Sequence, residues 1–172
     1  MKIFKNTIIP KKYKGAAIAV GNFDGIHKGH QKIFKQAKTI VKKNKIKFGV
    51  LTFTPLPVMF FNKKIKNFRL ISEKFKFQLF KKHEVDFVIN IKFNRTFSKI
   101  TAEKFIKNII FKKINPRLIF VSANFKFGNK RKGNIYLLKN LERKYDYKLF
   151  NTKIYKYKRK IVSSTRIRKS LQ

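Results

Sequence analysis

The chain has 172 residues, of which 43% are hydrophobic and 15% aromatic, so it is long and apolar enough to bury one core. It contains no cysteine, which excludes disulfides, thiol catalysis and cysteine-ligated zinc. No run of about 18 apolar residues occurs, and the apolar stretches of the basic start are too short for a signal peptide. We therefore expect one domain, residues 1–172, in a soluble cytoplasmic protein without a membrane partner.

The charge of the chain is extreme, because 45 lysines and arginines face 7 acidic residues and give a formal net charge of +38. A surface of this kind attracts polyanions such as nucleic acid. The basic residues are spread along the whole chain, however, and the 20 phenylalanines and absent tryptophan fit the same bias towards AT-rich codons. We interpret the charge mainly as compositional and expect no nucleic-acid partner.

Hydrophobic spacing divides the chain into alternating strands and helices. Apolar runs that stop at glycine, proline or polar residues indicate strands, whereas apolar positions three and four apart, as at Ile33, Phe34 and Ala37, indicate helices. In chain order the pattern predicts a strand at 15–23, a helix at 28–42, a strand at 47–53, an irregular segment at 58–71, a helix at 72–83 and a strand at 85–91. It continues with a helix at 98–110, a strand at 116–123, a basic loop at 124–134, a helix at 135–145, one or two strands at 147–163 and a short last helix capped by Ser163 or Ser164.

Strands that alternate with helices, mostly as continuous apolar runs, predict an α/β fold in which helices cover both faces of a parallel sheet. Ligands of such folds bind beyond the carboxyl ends of the strands. The predicted strand ends carry the segments GNFDG, TFTPLP and SANFKFG, which are chemically the most distinctive parts of the chain. The sequence therefore predicts a ligand site at this edge of the sheet.

The segment GNFDGIHKGH (21–30) contains two of the three histidines and three of the seven glycines. A strand, a glycine-rich turn and a helix start form an anion-binding arrangement, because the helix N-terminus presents free N–H groups and a partial positive charge. His27 and His30 are one helical turn apart, so both can donate hydrogen bonds to one phosphate group. The pattern matches neither the dinucleotide fingerprint nor the P-loop, and the alternative is a pair of capping or core histidines.

Three further segments carry residues suited to nucleotide chemistry. IVSSTRIRKSL (161–171) resembles a helix start whose hydroxyls, N–H groups and arginines suit a polyphosphate, with a solvated terminal helix as the alternative. VSANFKFGNKRKGN (121–134) offers the Asn124 amide, two phenylalanines for a flat ring and Arg131 for a phosphate, unless those phenylalanines face the core. LTFTPLPVMFF (51–61) follows the second predicted strand.

Together these segments resemble the H-x-G-H nucleotidylyltransferases, and most of all the FMN adenylyltransferase domain of bacterial FAD synthetases, over about residues 15–172. The resemblance implies a Rossmann-like sheet of the nucleotidylyltransferase type and the transfer of AMP from ATP to FMN, giving FAD and pyrophosphate. The catalytic residues that it implies are His27, His30, Ser164, Thr165, Arg166 and Arg168. The ATP-binding residues that it implies are Gly21, Asn22, Phe23, Asp24, Gly25, Lys28, Gly29 and Ser163. The residues on the flavin side that it implies are Phe53, Pro55, Asn124, Phe125, Phe127 and Arg131.

This sequence departs from the family pattern at four of the matched positions. Leu56 stands where the family usually has histidine, and Asn124 stands where many relatives have aspartate. Ser122 replaces a usual glycine, and Val162 replaces a usual isoleucine.

The resemblance implies ATP and FMN as substrates, with Mg²⁺ bridging phosphate oxygens. Because the chain has only seven acidic residues, we expect no metal site made by protein carboxylates alone, and Asp24 is either a turn brace or a metal contact. Bacterial relatives usually continue into a riboflavin kinase domain that residues 1–172 do not supply, so either a separate kinase makes the FMN or the sequence is a truncated product. Two alternatives stay open: a nucleotidylyltransferase with another phosphorylated acceptor, and a basic nucleic-acid-binding protein that has lost catalysis.

Overall fold

A parallel sheet forms the centre of the computed structural model, which describes residues 1–62 and 68–171. Its strands are β1 (Lys2–Phe4), β2 (Ala17–Val20), β3 (Phe48–Thr54), β4 (Phe87–Lys92), β5 (Leu118–Ser122) and β6 (Lys148–Thr152). They lie in the order β1-β4-β3-β2-β5-β6, and every neighbouring pair is parallel. The chain runs outwards from β2 through β3 to β4 and then returns to place β5 on the other side of β2. Such a reversal leaves a crevice at the carboxyl ends of the two central strands, where α/β folds bind ligands.

Helices connect the strands and cover the sheet. They are α1 (Lys28–Asn44), α2 (Pro57–Phe61), α3 (Glu73–Lys82), α4 (Arg95–Ser98), α5 (Ala102–Lys104), α6 (Ile135–Asn140), α7 (Glu142–Tyr145) and α8 (Ser164–Leu171). The helix α5 runs directly into a π-helical segment, Phe105–Ile114. Beside the sheet, β7 (Lys156–Tyr157) pairs antiparallel with β8 (Lys160–Ile161). Within residues 1–62 and 68–171, no helix combines the length and the apolar character needed to cross a membrane, and the cytoplasmic location stays a prediction.

Alternation of side chains along the strands separates two apolar cores, one on each face of the sheet. On one face, Ala17 and Ala19 of β2 pack with Phe34 of α1 and Phe80 of α3, and both phenylalanines are 0% exposed. On the other face, Ile18 of β2 packs with isoleucines of the π-helical segment. The small alanine side chains leave room for α1 to lie close to the sheet, and this places the start of α1 beside the carboxyl end of β2.

The structure confirms the predicted fold class and most of the predicted elements. The strands predicted at 15–23, 47–53, 85–91 and 116–123 correspond to β2, β3, β4 and β5, of which β3 and β4 end one residue later than predicted. The helices predicted at 28–42 and 72–83 are α1 and α3, and the short last helix is α8. The Ser72 side chain caps α3 by accepting a hydrogen bond from the Phe75 N–H at 3.2 Å, as its position before the helix predicts.

The helix predicted at 98–110 is wrong at both ends. The helix α4 is a separate turn, and the next helix begins only at Ala102, because the Thr101 hydroxyl caps it by accepting a hydrogen bond from the Lys104 N–H at 3.2 Å. The π-helical segment then extends past the predicted end, since its buried isoleucines continue the apolar face.

Other differences lie where the sequence pattern is short or interrupted. The helix predicted at 135–145 breaks at Leu141, and 147–163 contains three strands instead of one or two. The segment 58–71 is not wholly irregular, because α2 occupies its start, while residues 63–67 lie outside the described residues. The sequence reasoning missed β1, a three-residue strand that is mostly exposed and therefore shows too little alternation to detect.

Candidate active site

A cavity of about 800 Å³ opens beyond the carboxyl ends of the parallel strands. Residues at the ends of four strands line it: Gly21 after β2, Phe53 in β3, Ser122 in β5 and Thr152 in β6. The cavity therefore lies at the reversal of strand order between β2 and β5. Its volume is within the range of small-molecule and cofactor sites.

The turn after β2 directs the start of α1 into this cavity. Phe23 adopts a left-handed conformation (φ 49°) and buries its ring under the turn, 5.2 Å between ring centroids from His30. Gly25 follows with φ 78°, a conformation that favours glycine. His27 is the N-cap of α1, and its side chain makes no capping hydrogen bond. The N-terminus of α1, with its partial positive charge, therefore opens towards the cavity beside the two histidines.

The rings of His27 and His30 are stacked, with centroids 3.7 Å apart and planes inclined by 20°. The Nδ1 atom of each ring is buried and has no hydrogen-bond partner within the described part of the chain. Burial lowers the pKa of His27, and burial together with the charge of His27 lowers the pKa of His30 from 6.5 to about 3. Both rings are therefore neutral at pH 7, and the unpaired buried nitrogens indicate a polar ligand at this place.

The C-terminal helix meets the turn around residue 25. The Ser164 hydroxyl donates a hydrogen bond to the Asp24 carbonyl oxygen at 2.8 Å. Arg168 Nη1 donates to Asp24 Oδ2, also at 2.8 Å. The first turn of α8 contributes Ser164 and Thr165 to the cavity wall, Arg168 follows in the last turn of the helix, and Ser163 lines the cavity just before it. Hydroxyls, helix N–H groups and a guanidinium thus face the histidine pair across one cavity.

Phenylalanines form the opposite part of the cavity wall. Phe125 and Phe127 are stacked with centroids 5.4 Å apart, and Phe127 contacts the ring of Phe105 at 5.5 Å. Phe97 lies 5.6 Å from Phe53 between ring centroids. All five rings line the cavity and make this wall apolar. Phe53, Phe105 and Phe127 are buried in the core, whereas Phe97 and Phe125 are half-buried and offer the surface that a flat aromatic ligand could contact.

Most site residues that the resemblance implied lie on this cavity. They are Gly21, Asn22, Phe23, His27, Gly29, His30, Phe53, Asn124, Phe125, Phe127, Arg131, Ser163, Ser164, Thr165 and Arg168. The structure does not bring the rest to the wall, and these are Asp24, Gly25, Lys28, Pro55 and Arg166.

Three of these exceptions have a local reason. Gly25 packs against Leu70, so closely that an added Cβ would lie 2.7 Å from a methyl carbon of that side chain. Lys28 points to the outer face of α1, into a separate groove with other lysines. Arg166 is exposed, and its guanidinium contacts the Ile161 carbonyl oxygen at 3.5 Å.

The stretch after β3 explains how the chain accommodates Leu56 at the position where the family usually has histidine. Leu56 is only 4% exposed and does not line the cavity. Pro55 before it is half-buried and does not line the cavity either. An apolar side chain is stable in such a buried place. The cavity wall resumes at Pro57, Val58 and Phe61 in α2.

The sequence reasoning missed part of the aromatic wall. Phe93, Phe97 and Phe105 line the cavity but were not proposed as site residues. Phe93 directly follows β4, so its position at the carboxyl edge of a predicted parallel strand was a signal for it. Phe97 and Phe105 lie in helical segments, where ligand-facing and core phenylalanines have the same spacing.

Fold and site together define a class: a Rossmann-like α/β fold of the nucleotidylyltransferase type, with the start of α1 and the start of α8 on one cavity. Comparison with protein families then identifies the family. The model of the FAD synthetase family matches residues 9–166, and the chain belongs to that family.

Curated relatives agree with the family. The chain is 41% identical over 173 residues to the bifunctional riboflavin kinase/FMN adenylyltransferase of Buchnera aphidicola subsp. Schizaphis graminum, a match that covers 99% of this chain and 55% of the relative. It is 30% identical over 171 residues to the FAD synthetase of Listeria monocytogenes, covering 98% of this chain and 68% of that one. The chain spans about half the length of the bifunctional relatives it matches, and its organisation as one domain stays a prediction.

Solved structures share the fold. A crystal structure described as a macrolide-efflux protein from Streptococcus pneumoniae superposes with a TM-score of 0.83 at 26% identity, covering 98% of this chain and 56% of that chain. The pantoate-beta-alanine ligase of Francisella tularensis superposes with a TM-score of 0.59 at 15% identity, covering 98% of this chain and 73% of that chain, which is a likeness of fold alone.

Proposed function

We propose that the chain is an FMN adenylyltransferase, which transfers AMP from ATP to FMN and gives FAD and pyrophosphate. The observation that carries the proposal is that one cavity joins two unlike walls. The histidine pair and the start of α8 suit a polyphosphate, and the phenylalanine wall suits a flat ring. The choice of ATP and FMN as the two substrates is based on the names of the family, FAD synthetase, and of its relatives, FMN adenylyltransferase.

In the proposed reaction a phosphate oxygen of FMN attacks the α-phosphorus of ATP and forms the new P–O bond. The bond between the α-phosphorus and the oxygen that bridges to the β-phosphorus breaks, and pyrophosphate leaves with those electrons. The exchange needs no protein nucleophile, and the chain contains no cysteine that could serve as one. The residues of the site therefore act by binding, aligning and stabilising charge.

The histidine pair is proposed to bind the phosphate groups at the reacting centre. Because His27 and His30 are neutral at pH 7, each ring carries one N–H and acts as a hydrogen-bond donor rather than as a cation. The Nδ1 atoms have no partner in the described chain, so in the tautomer that carries the proton on Nδ1 each ring would donate a hydrogen bond to a phosphate oxygen.

The start of α8 is proposed to hold the phosphates that leave. Ser163 and Thr165 offer hydroxyls, the helix N-terminus offers N–H groups, and Arg168 offers a planar guanidinium. On the other wall, the phenylalanines would sandwich or flank the isoalloxazine ring, with Asn124 and Arg131 available for polar parts of FMN.

A divalent ion is proposed to enter with the nucleotide. Within residues 1–62 and 68–171 no group of three or more histidine, aspartate and glutamate side chains could hold a metal ion. Mg²⁺ would enter bound to the phosphate oxygens of ATP and would neutralise part of their charge, while the hydroxyls, N–H groups and guanidinium of the wall would bind other phosphate oxygens.

The test mixes the purified chain with ATP, Mg²⁺ and one acceptor at a time, and it detects FAD by chromatography with fluorescence. We expect FAD and an equal amount of pyrophosphate with FMN and no FAD with riboflavin, which lacks the attacking phosphate. Phosphopantetheine and nicotinamide mononucleotide test the rival acceptors. Adenylylation of one of these in preference to FMN, or no product together with salt-sensitive binding of oligonucleotides, contradicts the proposal.

A further inference from the structure

Asp24 belongs by sequence to the turn between β2 and α1 (residues 21–27), here called the phosphate turn, yet its carboxylate lies behind the cavity wall. The residue is 5% exposed. Its Oδ1 and Oδ2 atoms accept hydrogen bonds from the Leu70 N–H at 3.0 and 3.3 Å. A backbone amide from a distant segment therefore fixes the carboxylate in place, and this segment does not line the cavity.

The same carboxylate also binds Arg168 at the far end of the chain. Arg168 Nη1 lies 2.8 Å from Asp24 Oδ2, and the arginine side chain is only 18% exposed. The guanidinium carbon lies 3.8 Å from the centroid of the Phe68 ring, which covers one face of the guanidinium. Arg168 is thus held from two sides while it still lines the cavity.

Two bonds between α8 and the phosphate turn end on this one residue. The Ser164 hydroxyl binds the Asp24 carbonyl oxygen, and Arg168 binds the Asp24 carboxylate. Residues of α8 are otherwise exposed or half-buried. Asp24 therefore links α8 to the turn that precedes His27.

We propose that Asp24 is a positioning residue, which holds Arg168 in the orientation that binds the polyphosphate of ATP. This inference rests on the proposed function. A free arginine side chain has many rotamers, and restricting it before ATP arrives removes that entropic cost from binding. Asp24 in turn depends on Arg168. Burial raises the pKa of the Asp24 carboxyl, whereas the Leu70 N–H and the Arg168 charge stabilise its anion.

A double-mutant cycle on ATP binding tests the inference. Asp24→Asn keeps the size of the side chain and an oxygen for the Leu70 N–H but removes the charge that binds Arg168. The affinity for ATP with Mg²⁺ is measured by calorimetry for the wild type, Asp24→Asn, Arg168→Gln and the double variant. Arg143→Gln and Asp146→Asn, two exposed positions away from the cavity, are controls that remove the same charges.

We expect Asp24→Asn to weaken ATP binding roughly tenfold, as loss of a buried charge-assisted hydrogen bond does. In the Arg168→Gln background the same change has less than about twofold effect, because no arginine is left to position. Equal effects of Asp24→Asn in both backgrounds, or wild-type affinity of the single variant, overturn the inference.

A second variant covers the case in which Asp24→Asn does not fold. Asp24→Glu keeps the negative charge but moves the carboxylate by one methylene, so it misplaces Arg168 and weakens ATP binding only while Arg168 is present. An effect that persists without Arg168, at an unchanged unfolding temperature, overturns the inference. FAD formation by the wild type is measured separately, and its absence contradicts the proposed function. The double-mutant cycle on ATP affinity still tests whether Asp24 acts through Arg168.

Discussion

Acidification provides a quantitative test of the half-buried histidine pair. The pKa of His30 is lowered from 6.5 to about 3 in the folded chain, chiefly by burial. Between these two values the unfolded chain takes up a proton that the folded chain does not, so the free energy of unfolding falls as the pH falls below 6.5. The stability that comes from keeping His30 neutral is fully present above pH 6.5, the pKa in the unfolded chain, and is lost progressively as the pH falls to about 3.

The size of the effect follows from the two pKa values. At pH 5 the unfolded state gains about 2 kcal/mol from protonation of His30 relative to the neutral folded ring, and at pH 7 it gains less than about 0.3 kcal/mol. Wild-type protein should therefore lose about 2 kcal/mol of stability between pH 7 and pH 5 through this residue alone. Acidic residues and His83 add their own losses, which are common to a variant that lacks only His30, whereas His27 contacts His30 and its contribution changes with it.

The assay is urea unfolding at pH 7 and pH 5, at constant ionic strength, for the wild type and His30→Gln. The wild type should lose about 2 kcal/mol more than the variant over this interval. His83→Gln is the comparison variant, because it removes the one histidine outside the cavity. Burial also lowers the pKa of His83, so this variant loses its own part of the pH dependence and keeps the part due to His30. If the wild type and His30→Gln lose the same free energy, His30 is not held neutral, and the argument for an uncharged donor pair is wrong.

Three further predictions concern the core, a helix cap and the aromatic wall. Phe34→Ala empties a fully buried site between α1 and the sheet, and urea unfolding should show a loss of about 4 kcal/mol; a loss under about 1 kcal/mol contradicts the packing described. Ser72→Ala removes the cap of α3 and should cost about 1 kcal/mol in the same assay, whereas no change means that the cap does not contribute. Phe93→Ala should raise the KM for FMN roughly tenfold with little change for ATP, and steady-state kinetics in which only the KM for ATP rises would place the flavin elsewhere.

The fold was predictable because its central elements have strong local patterns. The segment around Ile18 is a continuous apolar run, whereas α1 has apolar side chains at helical spacing. The spacing of apolar residues is therefore enough to identify the first as a strand and the second as a helix. The edge strand β1 has three residues and is held by backbone pairing with β4, which leaves little mark on its side chains. The break at Leu141 and the separate β7–β8 pair likewise depend on tertiary contacts rather than on local spacing.

The candidate site was predictable where a motif combines rare residues at a fixed spacing, as it does for His27 and His30. The partners of Asp24 were not predictable, because Arg168 and Leu70 are brought to it only by the folded chain. Phenylalanines of the cavity wall were hidden for a different reason. In a chain with 20 phenylalanines, the ring of Phe97 has the same sequence context whether it faces a ligand or the core.

The most direct test compares the rate of FAD formation from ATP and FMN in three proteins: the wild type, His30→Asn and His83→Asn. The pair of substitutions is matched, since each removes one histidine and only His30 lies on the cavity. We expect His30→Asn to lower the rate at least about a hundredfold, as loss of a donor to developing charge does, and His83→Asn to retain wild-type rate. Equal rates in all three proteins would contradict the claim that this cavity performs adenylyl transfer.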